Sequence, residues 1–122
     1  MKPAQASIYR AVERLLNFAI GVTERLPKSL PYRVLGECLI VDLKESLDCI
    51  VLAFQAPKGA ERLSCIDNLI LRMTAVKTTF RTFLNSKVVS PKQHSQFLGL
   101  ITNVGTQAGA WRSKQLLDSQ ND

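Results

Sequence analysis

The chain has 122 residues, 46% of them hydrophobic, few glycines or prolines, and a formal net charge of +6. That is the length of one domain, with enough apolar material for one core; it excludes a disordered chain and a fold that depends on disulfide or metal staples. A basic balance of this size favours anionic partners, nucleic acid or an acidic membrane surface.

Four segments repeat their apolar residues with helical spacing, and none alternates as a strand would. The first is expected from about Ala4 to Leu26, with Ile8, Ala11, Val12, Leu15, Phe18, Ala19, Val22 and Leu26 on one face. Pro27 ends it, because the residue before a proline avoids the helical region. The second is expected from about Pro31 to Ala56, with Ser29 as its cap and the stripe Leu39, Leu43, Leu47, Ile50, Phe54. Pro57 and Gly59 stop it. The third spans about Ala60 to Asn85, lined by Leu63, Ile66, Leu69, Ile70, Met73, Val76, Phe80, Phe83 and Leu84.

The fourth opens on Ser90-Pro91-Lys92-Gln93, an N-cap serine, a first-turn proline and a capping-box glutamine. Phe97, Leu98, Ile101, Val104, Ala108 and Trp111 follow on one face, which places Trp111 in the core. Gly105 and Gly109, one turn apart, are expected to face a closely packed neighbouring helix, the usual compensation for glycine inside a helix. Residues 118–122 read as a frayed polar tail beyond a domain of residues 1–117. Short connections make sequential helices antiparallel, so the expected fold is all-α, an up-down-up-down four-helix bundle.

Two helices carry more apolar surface than one core uses. Tyr9, Leu16 and Ile20 lie off the main stripe of the first helix, and Val34, Cys38, Val41, Cys49 and Leu52 form a second stripe on the second. A helix apolar on two sides is usually buried on two sides. The expected interface between copies is therefore Tyr9, Leu16, Ile20, Val34, Val41 and Leu52.

The charges are uneven. Between Asp67 and Asp118 lie seven cations and no acid: Arg72, Lys77, Arg81, Lys87, Lys92, Arg112 and Lys114. Lys77 and Arg81 are four residues apart, as are Arg10 and Arg14. Like charges at that spacing repel slightly, a cost that an anion touching both would offset. These nine residues are the candidate nucleic-acid contacts. The second helix is acidic instead, with Glu37, Asp42, Glu45 and Asp48. No basic motif is interleaved with aromatics, so base-specific reading is not expected.

Catalysis is not expected. The single histidine, His94, has no nucleophile beside it, and no phosphate-binding glycine loop or dinucleotide fingerprint occurs. No metal or other cofactor is expected, because the cysteines lack ligand spacing and the Glu-x-x-His pattern of bundle di-metal sites is missing. Cys38 and Cys49 are separated by about 16 Å of helix, too far for a disulfide. Three free thiols and no secretory signal lead to a cytoplasmic expectation. Arg10, Glu13 and Arg14 break the N-terminal apolar stretch, and Asp42, Lys44, Glu45 and Asp48 interrupt the most apolar one, so no membrane span is expected.

Leu26-Pro27-Lys28-Ser29 leading into an acid- and leucine-rich helix, with Ile101-Thr102-Asn103-Val104-Gly105 and Ala108-Gly109-Ala110-Trp111 near the end, resembles a family of small bacterial four-helix-bundle proteins. The resemblance covers Ile8 to Lys114. One branch of the family is the accessory variability determinant (Avd) of diversity-generating retroelements; the other is encoded in intervening sequences of ribosomal RNA genes. The retroelement branch implies a homopentameric barrel that binds a reverse transcriptase together with RNA, and possibly DNA, through basic surfaces in support of mutagenic reverse transcription. By this resemblance Lys77 and Arg81 match the cationic part of the third helix, and Arg112 follows the family tryptophan. The connection Ser86 to Val89 is short for the family. Two expectations follow: a retroelement accessory protein, or a bundle acting only as a structural or protein-interaction module.

Overall fold

The computed structural model describes residues 2–120, apart from the side chains of Ala4 and Ser119. A 3₁₀ turn, Pro3–Gln5, precedes four α-helices: α1 (Ser7–Thr23), α2 (Leu30–Gln55), α3 (Ala60–Asn85) and α4 (Pro91–Gln120). No strand occurs among the described residues. Each of α1 and α3 packs against both α2 and α4, so α1 and α3 are diagonal to each other, as are α2 and α4. This is the antiparallel four-helix bundle that the apolar spacing predicts.

The core holds the expected stripes. Val12, Leu15, Leu39, Leu43, Ile50, Ile66, Leu69, Val76, Phe80, Phe83, Phe97, Ile101, Val104 and Ala108 are almost fully enclosed. Phe80 is the hub of one end of the core. Its ring stacks on Phe97 at 4.1 Å and 3° and lies edge-on to Phe83 at 5.9 Å. It also reaches Phe18 across the diagonal at 6.0 Å and His94 at 6.2 Å. The end of α1, the end of α3 and the start of α4 therefore share one level of the bundle. Gly36 brings α2 to the same level: a Cβ there would stand 3.3 Å from Leu26 Cδ1, so a larger residue would have to push that side chain aside by a few tenths of an ångström. At the opposite end Phe54 of α2 meets Trp111 of α4 at 5.4 Å.

Helix ends differ from the sequence expectation for local reasons. α1 begins at Ser7 because Ala6 is extended after the 3₁₀ turn. It ends at Thr23 rather than Leu26: Arg25 N–H donates to Val22 O and Leu26 N–H to Thr23 O, a tightened turn that drops Leu26 into the core. Ser29 occupies the N-cap of α2 but makes no side-chain cap bond. The box at α4 forms as expected, Gln93 N–H to Ser90 Oγ at 3.0 Å and Ser90 N–H to Gln93 Oε1 at 2.8 Å. α4 stays helical through Gln120, so the tail expected from residue 118 is largely helix; Asn121 and Asp122 lie outside the described residues.

Two packing expectations are corrected. Gly105 and Gly109 face open space, with nothing within 4 Å of a Cβ at either position, so no helix of this chain approaches them closely. Trp111 packs against the core but is only half-buried, because it lines an open groove with Phe54, Gln107 and the start of α1. Phe80→Ala should accordingly cost roughly 3–5 kcal/mol in urea unfolding, and Trp111→Ala only about 2 kcal/mol. Equal losses for the two would contradict this ranking of the bundle's ends.

Candidate nucleic-acid interface

The nine candidate cations divide into two groups. Seven of them, Arg10, Arg14, Lys77, Arg81, Lys87, Lys92 and Lys114, are exposed, and no acid among the described residues pairs with any of these. The other two bind the bundle to itself. Arg72 on α3 reaches across to α2, with Nη1 3.1 Å from Asp42 Oδ1 and Nη2 2.6 Å from Glu45 Oε2. Arg112 on α4 holds Asp67 on α3, Nε to Oδ1 at 2.6 Å. Partly exposed pairs of this kind contribute up to about 1 kcal/mol each. Their main effect on function is subtraction, since two cations that look free along the sequence already have partners.

The paired residues also locate the acidic side of the molecule. Asp42 and Glu45 occupy the part of α2 that faces α3; Asp48 is exposed, and Lys44 Nζ on the same helix holds its Oδ1 at 2.6 Å. That hydrogen bond raises the Lys44 pKa further, so the lysine stays charged. Cys49 is buried, and burial, more than its neighbour Cys65, pushes its thiol up and keeps it neutral at ordinary pH. Arg62, which the sequence reading passed over, is committed as well: its Nε and Nη2 donate to the carbonyls of Ala53 and Ala56 at 2.9 and 2.8 Å, closing the C-terminus of α2.

Lys87 stands out in its backbone. It has φ +61°, the left-handed region, directly after α3. Its N–H donates to Leu84 O at 3.0 Å, and Val88 N–H donates to Phe83 O at 3.1 Å. This pair of bonds is a Schellman closure, whose left-handed position is normally glycine. The helical spacing of α3 gives its end, but nothing in the residue types around Lys87 announces this geometry.

The candidate oligomer residues also divide. Ile20, Val34, Val41 and Leu52 are exposed, Val41 and Leu52 by about half. Tyr9 and Leu16 are half-buried and pack against the core. Of the second α2 stripe, Cys38 is exposed and Cys49 is internal. Leu30, Leu71, Leu98 and Leu117 are further large apolar side chains in the open, which the sequence reading did not single out as exposed.

No family model matches the sequence, and no curated protein is significantly similar to it. No helix of the described residues is long and apolar enough to cross a membrane. Replacing Lys87 by glycine tests the loop geometry directly. Lys87→Gly should raise stability by about 1 kcal/mol in thermal or urea unfolding, because a side chain in the left-handed region costs that order of energy. A destabilised variant would mean that the lysine side chain holds the turn together.

Proposed function

We propose that this chain is a non-enzymatic, RNA-binding accessory bundle that works as a homo-oligomer, with a reverse transcriptase as its protein partner. The observation that carries the reading is the pairing of two surfaces on one small bundle. Seven exposed cations make no salt bridge among the described residues, while the outer side of α2 leaves Val34, Val41 and Leu52 in water. Unpaired cations suit a phosphate backbone, and a 122-residue monomer has no second core in which to hide an apolar stripe. The resemblance to the retroelement accessory branch supports a pentameric barrel and a polymerase partner in a bacterial cytoplasm. In that role the bundle would hold RNA by shape and charge, and the polymerase would supply the chemistry and the selectivity.

The exposed leucines Leu71 and Leu98 favour a second reading, a bundle whose only work is to hold proteins together, as in the ribosomal intervening-sequence branch. RNA binding separates the two. With Lys77→Glu/Arg81→Glu, RNA affinity should fall steeply, and the dependence of log K on log salt should become shallower by about 1 to 2 units, with helicity unchanged. Unchanged affinity would remove this part of α3 from the contact surface.

Assembly has its own test. Light scattering at micromolar concentration should give several times the 13.6 kDa chain mass, fivefold for a pentamer. Val41→Asp should return the protein to a folded monomer, because Val41 is exposed in the isolated chain and its loss leaves the core intact. Leu16 is less suited to this test, since it also packs on the core. A parent protein that scatters as a monomer would overturn the oligomeric reading.

A further inference from the structure

We propose that the principal nucleic-acid surface is one end of the bundle, where the α1–α2 and α3–α4 connections lie together, and that Arg25, Lys28, Arg33, Lys87 and Lys92 are its phosphate contacts. The inference rests on the RNA-binding reading and gives it a place. Arg25, Lys28 and Arg33 are not among the nine cations that the sequence pattern singles out.

The topology brings these residues to one end. Phe18 near the end of α1, Phe80 near the end of α3, and His94 and Phe97 near the start of α4 share one ring cluster. Gly36, early in α2, lies against Thr23 and Leu26 at the close of α1. The two connections, distant in sequence, therefore cap the same end. Neighbouring helix axes are about 10 Å apart, which puts diagonal positions roughly 15 Å apart, a span that a few nucleotides of single strand can cover.

The charge there is one-sided. All five cations are exposed, and none has an acidic partner among the described residues. Glu24 is the one acid within the two connections, and Glu37 follows further along α2, on the side of the groove that Lys28 and Arg33 also line. Lys77 and Arg81, one turn apart on α3, lead up to this end from the side. The opposite end also carries exposed cations, Lys2, Lys58 and Lys114, but there Arg62 is taken up by two carbonyls and Arg112 by Asp67, and Glu61 and Asp118 stand close to the cations in sequence.

Lys87 adds an independent observation. It holds a left-handed conformation that glycine adopts without strain, and it projects a cation from the tip of the α3–α4 turn. A strained residue kept at an exposed turn points to a role for its side chain outside the fold. An anionic membrane is the other surface such an end could meet. Leu30 and Val34 are the large apolar side chains exposed within the two connections and the first turns that follow them, too few for insertion into the headgroup region, so nucleic acid fits better.

The test is fluorescence anisotropy with a labelled 20-nucleotide mixed-sequence single-stranded RNA between 50 and 200 mM salt. The end variant is Lys28→Gln/Lys87→Gln/Lys92→Gln, and the control is Lys2→Gln/Lys44→Gln/Lys58→Gln, which removes the same charge from exposed positions elsewhere; circular dichroism checks that both stay folded. The end variant should bind at least ~10-fold more weakly, with a log–log salt slope shallower by about 2, and the control should stay within about threefold of the parent. Equal losses in the two variants, or an unaffected end variant, would overturn the proposal while leaving RNA binding in place. A parent protein that does not bind the RNA at 50 mM salt would overturn the RNA-binding reading and this one together. Tighter binding to vesicles with 30% phosphatidylserine than to the RNA would overturn it in favour of a lipid surface.

Discussion

The stack of Phe80 on Phe97, with Phe18 and His94 against its edges, is the contact on which the rest of the molecule depends. It joins three helices at one level and includes a diagonal pair whose backbones do not otherwise meet. Amphipathic helices of this length can slide by a turn against one another with little change in buried area, because the apolar stripe repeats every three or four residues. Large rings that fit one another at a single register remove that freedom. Once α1, α3 and α4 are aligned there, the positions of both connections follow, and with them the grouping of charges at that end.

A second constraint is electrostatic and acts along the seam between α2 and α3. Arg72 bridges to Asp42 and Glu45, and Arg62 closes the end of α2 through two carbonyls. Neither contact is deep enough to add much stability, since the side chains are partly in water. Arg72 instead neutralises part of the acidic face of α2 from the neighbouring helix, and Arg62 satisfies two carbonyls at the end of α2. The net charge of +6 is thus not spread evenly over a neutral background. Two of its cations are taken up by acids of other helices, Arg72 by Asp42 and Glu45 and Arg112 by Asp67.

Much of this was legible in the sequence. The four helices, their inward stripes and the capping box at Ser90 come from periodicity and local hydrogen-bond chemistry, and both are short-range. The misreadings are of other kinds. Trp111 continues the α4 stripe, yet it lines an open groove and is only half-buried, and periodicity carries no information about depth along an axis. Gly105 and Gly109 lie one turn apart, but spacing cannot say whether a neighbour is there, and none is. The run of cations from Arg72 to Lys114 holds no acid along the chain, yet Asp42, Glu45 and Asp67 reach two of its members from other parts of the sequence. The left-handed Lys87 has no residue-type signal, because lysine is an unusual occupant of that conformation.

Separating the apolar and basic surfaces has a geometric consequence for any assembly. Val34, Val41 and Leu52 lie on the side of α2, whereas Arg25, Lys28, Arg33, Lys87 and Lys92 lie at an end. Copies that joined through α2 about an axis parallel to the helices would leave those ends uncovered. Cyclic symmetry would then turn every basic end to the same side of the ring, because rotation about the axis cannot invert a protomer. If the proposed RNA binding holds, a single bundle would offer a few phosphate contacts and weak, salt-sensitive binding, and a ring would offer the same contacts several times over one face, where a flexible strand could engage neighbouring protomers in turn. In such an arrangement affinity comes from repetition, with no base-reading motif needed in the chain. An interface built on the basic end would bring like charges together and cover the proposed site, whereas one on the side of α2 would leave the proposed association and RNA binding compatible.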